Sequence, residues 1–422
     1  MHKYLEKKYS INEFKKLTSV ILDQGFVSLS SFLISVVLAS NFEQTDYANF
    51  ILLSSIVMTI LGFQRAIITQ PFAINFNDYI GVEKSKYLKY NVFLKIIFNI
   101  CLLLIFPFYL FIIGFGNDLF ASLTSLFYVI TFTSYFFVKD MFISSRQTKK
   151  ALLFGCSISV LIFFLLAFVK FYVKIDFQHF ILTLSCIYLL SFIVFFFFEK
   201  SVIKINYSFK NNFLKDNWKV GKWIVGSNLF YSIFAQATPW IILYFLSKKD
   251  VAIYGVLISV TSLVNPVIKS FSSYLLPLFT SCRMQIDLFK RRFLYWEIIF
   301  LFMSVLLVVF GVFFGEFLVT AIFGSKYDNL GWIVFLPFIN QSINVIFQPV
   351  DIALNALKRT DIGFYMLLFR LILSLVLALI FISNFGLVGV FIAKIIENIL
   401  YQTILTKKVL ALININHIKD IY

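Results

Sequence analysis

Residues 17 to 40, LTSVILDQGFVSLSSFLISVVLAS, are apolar over the length a helix needs to cross a bilayer, yet they carry Asp23 and Gln24. A charge at that depth costs on the order of 3 kcal/mol on insertion scales, so Asp23 requires a compensating role. From Gln24, the residues Ser28, Ser31 and Ser35 follow at helical spacing and draw a polar stripe along one side. Such a stripe on a spanning helix is expected to face protein or water. Three roles stand open for Asp23: an ion pair with a cation on another helix, a site for a coupling Na+ or H+, or a gate contact at the cytoplasmic mouth.

The same apolar pattern recurs along the chain. With 422 residues, 60% of them hydrophobic and 56 of them Phe, the composition is that of a polytopic membrane protein. Twelve spans are predicted, at 17–38, 47–68, 91–113, 119–139, 151–170, 177–198, 222–246, 251–276, 293–314, 331–353, 363–383 and 386–406. The first run is too long for a signal peptide and no cleavage motif follows it, so it reads as a retained helix. A net charge of +16 could suggest nucleic acid, but the cations lie between apolar runs instead of on a hydrophilic face. They report topology. With both termini inside, the inner segments hold 28 Lys and Arg and the outer loops five, Lys170, Lys174, Lys248, Lys249 and Lys326. The orientation is therefore N-in, C-in. Cys101, Cys156, Cys186 and Cys282 have no metal-like spacing, and no GxxxxGK[ST] motif for a nucleotide occurs. No cofactor is expected.

A weak internal repeat divides the spans into two sets of six. YANF at 47–50 and YGVL at 254–257 stand 207 residues apart, Pro71 and Pro277 stand 206 apart, and both prolines are expected to end their helices. Asp140, Arg146 and Thr148 match Asp351, Arg359 and Thr360 at offsets of 211 to 213. An even number of spans per set makes the repeat parallel, about an axis along the membrane normal. The expected organisation is an N-lobe over 1–198, a basic cytoplasmic linker over 199–222 and a C-lobe over 223–422.

The first helix with Asp23-Gln24 and its serines, the stretch ASNFEQTDYANFILL and the helix end FQRAIITQPF resemble the lipid-linked oligosaccharide flippases of the MOP superfamily, the Wzx-like branch. The resemblance implies an all-α fold of two six-helix lobes about a central cavity that opens alternately to either face of a bacterial inner membrane. It implies an undecaprenyl-diphosphate-linked sugar as substrate, carried to the outer leaflet for surface polysaccharide such as O-antigen, without enzymatic chemistry. It also implies a polysaccharide polymerase and a chain-length regulator as partners.

A diphosphate head group crossing the bilayer needs cations and hydrogen-bonding groups on inward faces. The cavity candidates are Arg370, Lys95, Lys269, Lys394, Asn99, Asn228, Gln236 and Asn344. Arg370 leads, because its guanidinium fork fits phosphate and no acidic residue is adjacent in sequence. Gate or coupling candidates are Asp23, Gln24, Arg65, Asp140, Asp351 and Glu397. Lys394 and Glu397, three residues apart, are expected to neutralise each other. Asp140 is expected to meet Arg146, and Asp351 to meet Lys358 or Arg359. Two other functions compete: a membrane-embedded polysaccharide polymerase or glycosyltransferase on the same carrier, and a multidrug or cation antiporter of the same superfamily. The first lacks outer loops large enough for an acceptor site, and the second predicts acidic cavities.

Overall fold

The computed structural model describes residues 2–76, 79–113, 119–171, 175–198, 212–282, 285–357 and 359–414. Among them there are helices and turns and no strand. In lipid, every backbone polar group must find an internal partner, which a helix provides within one segment. The helices are α1 (His2–Asn41), α2 (Gln44–Gln64), α3 (Gln70–Asn75), α4 (Gly81–Ile113), α5 (Leu119–Ser144), α6 (Thr148–Phe171) and α7 (Phe177–Phe198). After residues 199–211, which lie outside the described set, come α8 (Asn212–Phe245), α9 (Lys248–Ser262), α10 (Asn265–Cys282), α11 (Ile286–Phe323), α12 (Leu336–Ile346), α13 (Gln348–Ala356) and α14 (Thr360–Asn414). Eight stretches of described helix are long and apolar enough to cross a bilayer. The last of these contains two passes in series, joined at Gly386, whose φ of 57° and ψ of −137° suit glycine alone. With α7, α8 and the pair α9–α10, the described helices are enough for twelve passes.

Prolines break or widen several passes, and here the structure corrects an expectation. Pro71 and Pro277 do not end their helices. Between α2 and α3 the backbone widens into a π turn over Arg65–Thr69, with the Gln70 N–H donating to the Arg65 carbonyl. That extra residue absorbs the missing donor and the ring of Pro71, so the pass runs on to Asn75. Pro277 is likewise accommodated inside α10, which continues to Cys282. The eighth pass is instead interrupted at Leu263–Val264, just ahead of Pro266, where i→i+3 bonds from Leu263 N to Val260 O and from Val264 N to Thr261 O replace the α pattern. The tenth pass breaks at Phe347, two residues before Pro349.

The chain divides into two compact units. Unit 1 contains residues 1–37 and 53–236; unit 2 contains residues 38–52 and 237–422. The hairpin joining α1 to α2 thus belongs to the second unit, and the first part of α8 to the first. In unit 1, α5 lies along α7 through an aromatic cluster. Tyr188 meets Phe132 at 5.2 Å, Tyr135 at 5.3 Å and Tyr128 at 6.1 Å between ring centroids. In unit 2 the core gathers Leu275, Phe279, Phe289, Phe293, Phe300, Val350, Ala353 and Leu405. Lipid offers no hydrophobic force between helices, so small residues that permit close approach do much of the joining. Gly311 and Gly315 of α11 receive Phe338 of α12; a Cβ at Gly311 would lie 2.5 Å from the Phe338 Cγ. The large side chains of α11, among them Phe302, Phe313 and Phe317, are exposed on its other faces.

Candidate functional site

Unit 1 encloses a charged core built from α1, the π turn, α5 and α6. Asp23 and Lys139 are buried, at 0% and 1% exposure, with Lys139 Nζ 2.8 Å from Asp23 Oδ2. The pair satisfies charge, and Asp23 Oδ1 has no donor. Gly155 of α6 makes room for that oxygen: a Cβ there would overlap Asp23 Oδ1. Asp140, the next residue on α5, is turned about 100° from Lys139 by helix geometry and meets other partners. It accepts from Arg65 Nε at 3.1 Å and from Thr69 Oγ1 at 3.4 Å. Asp140 therefore pairs with Arg65 and not with Arg146, which is exposed in a left-handed turn with φ of 58°. The Schellman pattern at the end of α5 holds it there, with Gln147 N bonded to Phe142 O and Arg146 N to Ile143 O.

Beside this core lies a second polar knot. Lys95 is fully buried and its Nζ donates to Gln64 Oε1 at 2.6 Å and Thr133 Oγ1 at 2.9 Å. Gln64 in turn donates to the Thr133 carbonyl at 3.0 Å. Lys95 shares one face of α4 with Asn91 and Asn99, and that stripe is bonded within unit 1. Asn91 Nδ2 bonds the Tyr87 carbonyl, Asn217 Nδ2 reaches Asn91 Oδ1, and Asn99 Nδ2 donates to Ser134 Oγ at 3.3 Å. On α1, the buried face carries Ser19, Asp23, Ser30 and Ile34, whereas Ser31 of the predicted stripe is exposed and Gln24 is half-buried. Where the chain re-enters at α8, Tyr79 donates to Asp216 Oδ2, and burial together with that bond pushes the phenol above its ordinary range.

Unit 2 brings together residues from α9, α12, α13 and α14. Arg370 donates through Nε to Glu397 Oε1 and through NH2 to Asn398 Oδ1, and its guanidinium lies 4.8 Å from the centroid of Tyr401. Asn398 Nδ2 continues to Asn340 Oδ1 at 2.6 Å. No acidic residue is adjacent to Arg370 in sequence, yet the fold supplies one. The partner comes from the second half of the same long helix element, 27 residues on, through the reversal at Gly386. This pairing corrects the expected Lys394–Glu397 neutralisation. Glu397 is taken by Arg370, and the half-buried Lys394 donates to the Tyr254 hydroxyl at 2.7 Å with its nitrogen 5.0 Å from that ring. Asp351 is half-buried and faces Arg370 and Gln402. The alternative partner Lys358 lies outside the described residues, as do the side chains of Lys269 and Asn228. Asn344 and Gln236 are half-buried.

Sequence reasoning missed Lys139, Gln64 and Thr133. Lys139 stood at a predicted span end and was counted among the inner-loop cations, whereas the structure uses it to balance Asp23. The available signal was the unbalanced charge of Asp23 itself. Glu297 was missed as well: it is half-buried on α11.

No protein-family model matches the chain, and no curated protein matches it by sequence. Solved structures do match. An inward-facing multidrug resistance MATE family transporter of the MOP superfamily aligns with TM-score 0.72 at 14% identity, over 92% of this chain and 96% of the other. The lipid II flippase MurJ, in an inward closed conformation, aligns with TM-score 0.68 at 15% identity, over 93% and 89% of the two chains. A MOP superfamily transporter from Pyrococcus furiosus, reported with a binding pocket of reversed polarity, aligns with TM-score 0.61 at 14% identity over 94% of each chain. At such identities the likeness establishes architecture, and this multi-pass membrane chain has the fold of the MOP-superfamily transporters.

Proposed function

We propose that this transporter is a flippase for undecaprenyl-diphosphate-linked oligosaccharide repeat units, moving them from the cytoplasmic to the outer leaflet of a bacterial inner membrane. Lys394 is the observation that carries the reading. It is a half-buried cation within a span, held by a neutral phenol instead of a carboxylate, so its charge is available to an anionic head group. The other described cations that face acids, Lys139, Arg65 and Arg370, are engaged by Asp23, Asp140 and Glu397. Arg370 becomes a positioning group: its pair with Glu397 orients Asn398 and keeps that end of α14 in register with Asn340. The flippase neighbour of the same fold supports a lipid-linked substrate.

A multidrug or cation antiporter is the second reading. It is favoured by Glu297 and Asp351, two carboxylates within spans of unit 2, and by the MATE neighbours. One experiment separates the two. Lys394→Met in a deletion strain should lower surface-polysaccharide export at least tenfold, about 1.4 kcal/mol or more of lost binding, with lipid-linked units accumulating on the cytoplasmic leaflet and normal insertion of the protein. Glu297→Gln should leave export intact. Normal export with Lys394→Met, together with loss of cationic-dye efflux in Glu297→Gln, would replace the flippase with the antiporter.

A further inference from the structure

Two passes of unit 2 are broken ahead of a proline, and polar groups gather at the breaks. The eighth parts at Leu263–Val264 and the tenth at Phe347. Pro266 has no N–H, so the Ser262 carbonyl that would accept from it in a continuous helix has no backbone donor among the described residues. Asn265, exposed at the start of α10, is joined to α12 by Gln341, whose Nε2 donates to Asn265 Oδ1 at 2.9 Å. The helix α12 is two-sided. Phe338, Ser342 and Val345 are buried on one side, where Phe338 packs over Gly311. Asn340, Gln341 and Asn344 fall within an arc of about 100° on the opposite side, and all three are half-buried. Three amides on one face of a span are not presented to hydrocarbon without loss, so this face looks onto water or a polar ligand.

The hydrogen bonding of these amides is incomplete. The Asn344 side chain makes no hydrogen bond among the described residues. Asn340 Oδ1 accepts from Asn398 Nδ2 at 2.6 Å, and Asn398 stands one turn from Lys394 on the same side of α14. A polar track therefore runs within unit 2 from Lys394 through Asn398 and Asn340 to Asn344, Gln341 and Asn265. Its free charge lies at one end only, because Arg370 and Glu397 beside Asn398 engage each other. The groups left open along the rest are neutral: the whole Asn344 amide, the Asn265 Nδ2 donor, and the Gln341 Oε1 and Ser262 carbonyl acceptors. A second phosphate would call for a cation among them, and a cationic ligand for a carboxylate. A metal ion would meet amide N–H donors where it needs oxygens. A sugar hydroxyl donates and accepts at once, and a row of amides offers it both partners.

We propose that Asn344, Gln341 and Asn265 form a subsite for the uncharged sugar hydroxyls of the head group, with the diphosphate of the same ligand toward Lys394. The inference rests on the flippase reading and adds to it which part of the ligand these amides recognise. The test uses the purified full-length chain and two probes, undecaprenyl diphosphate and the same lipid bearing a single neutral hexose, with affinities read by native mass spectrometry. The parent should bind the sugar-bearing lipid about tenfold more tightly than the bare one. Asn344→Leu and Gln341→Leu should each lower that ratio about threefold or more. Both should keep the parent's affinity for the bare lipid, which also shows that they fold. Asn344→Ala, a plain truncation of a side chain that bonds nothing, gives the same reading should a leucine variant misfold. Lys394→Met should weaken both lipids alike and keep the ratio. A parent ratio near one, or amide variants that retain the parent's ratio, would overturn the subsite and leave the flippase reading standing. A parent that binds neither lipid would remove the flippase reading and the subsite with it.

Discussion

Asp23 shows how a residue that is costly in isolation becomes an element of the fold. Its carboxylate and the Lys139 ammonium are both withdrawn from solvent. Removing one partner leaves the other buried and uncompensated, a change that typically costs about 3–5 kcal/mol. Asp23→Asn should therefore lower the thermal unfolding temperature in detergent and the yield of folded protein. The double replacement Asp23→Asn/Lys139→Gln should recover most of that loss. If the single variant unfolds like the parent, the pair is not structural and the coupling role of Asp23 gains ground. The same logic explains why Arg370 is a poor first choice for a phosphate ligand: a guanidinium already engaged by Glu397 and Asn398 would have to surrender both.

At the scale of elements, the chain uses glycine and proline to place breaks and close crossings. The turn between the last two passes is the tightest case. Gly386 adopts its positive φ, and a Cβ on Gly389 would run into the backbone carbonyl of Phe381. Backbone cannot step aside as a flexible side chain can. Gly389→Ala should thus cost about 1–3 kcal/mol or more, in the range of other overpacked cores, and should loosen the Arg370–Glu397 pair that the reversal brings together. The check is thermal stability in detergent of Gly389→Ala beside Gly363→Ala. Position 363 has only a side-chain atom 3.7 Å from the added methyl, so that control should stay close to the parent.

For the whole molecule, charge outside the spans decides orientation and charge inside them decides partners. With Lys139 moved from loop to core, the inner segments still far outnumber the outer ones in Lys and Arg, so the N-in, C-in prediction is unaffected. A membrane-impermeant thiol reagent should label Asp328→Cys in intact cells and Arg146→Cys only after permeabilisation, both in a cysteine-free background; the reverse pattern would invert the topology. The hydropathy of the chain by itself determined the helical class, the twelve passes and the positions of most connections, because a bilayer tolerates backbone only when each segment bonds to itself. That the segments around YANF and YGVL pack on each other was not legible. Which cation meets which acid was decided by tertiary structure alone. Partners such as Asp23 with Lys139 and Arg370 with Glu397 lie far apart in sequence, and a helical period says which face a residue occupies without saying which helix lies opposite. Proline breaks followed the same division: the prolines were visible in the sequence, and only the surrounding packing determined whether a pass widened, as at Pro71, or parted, as before Pro266.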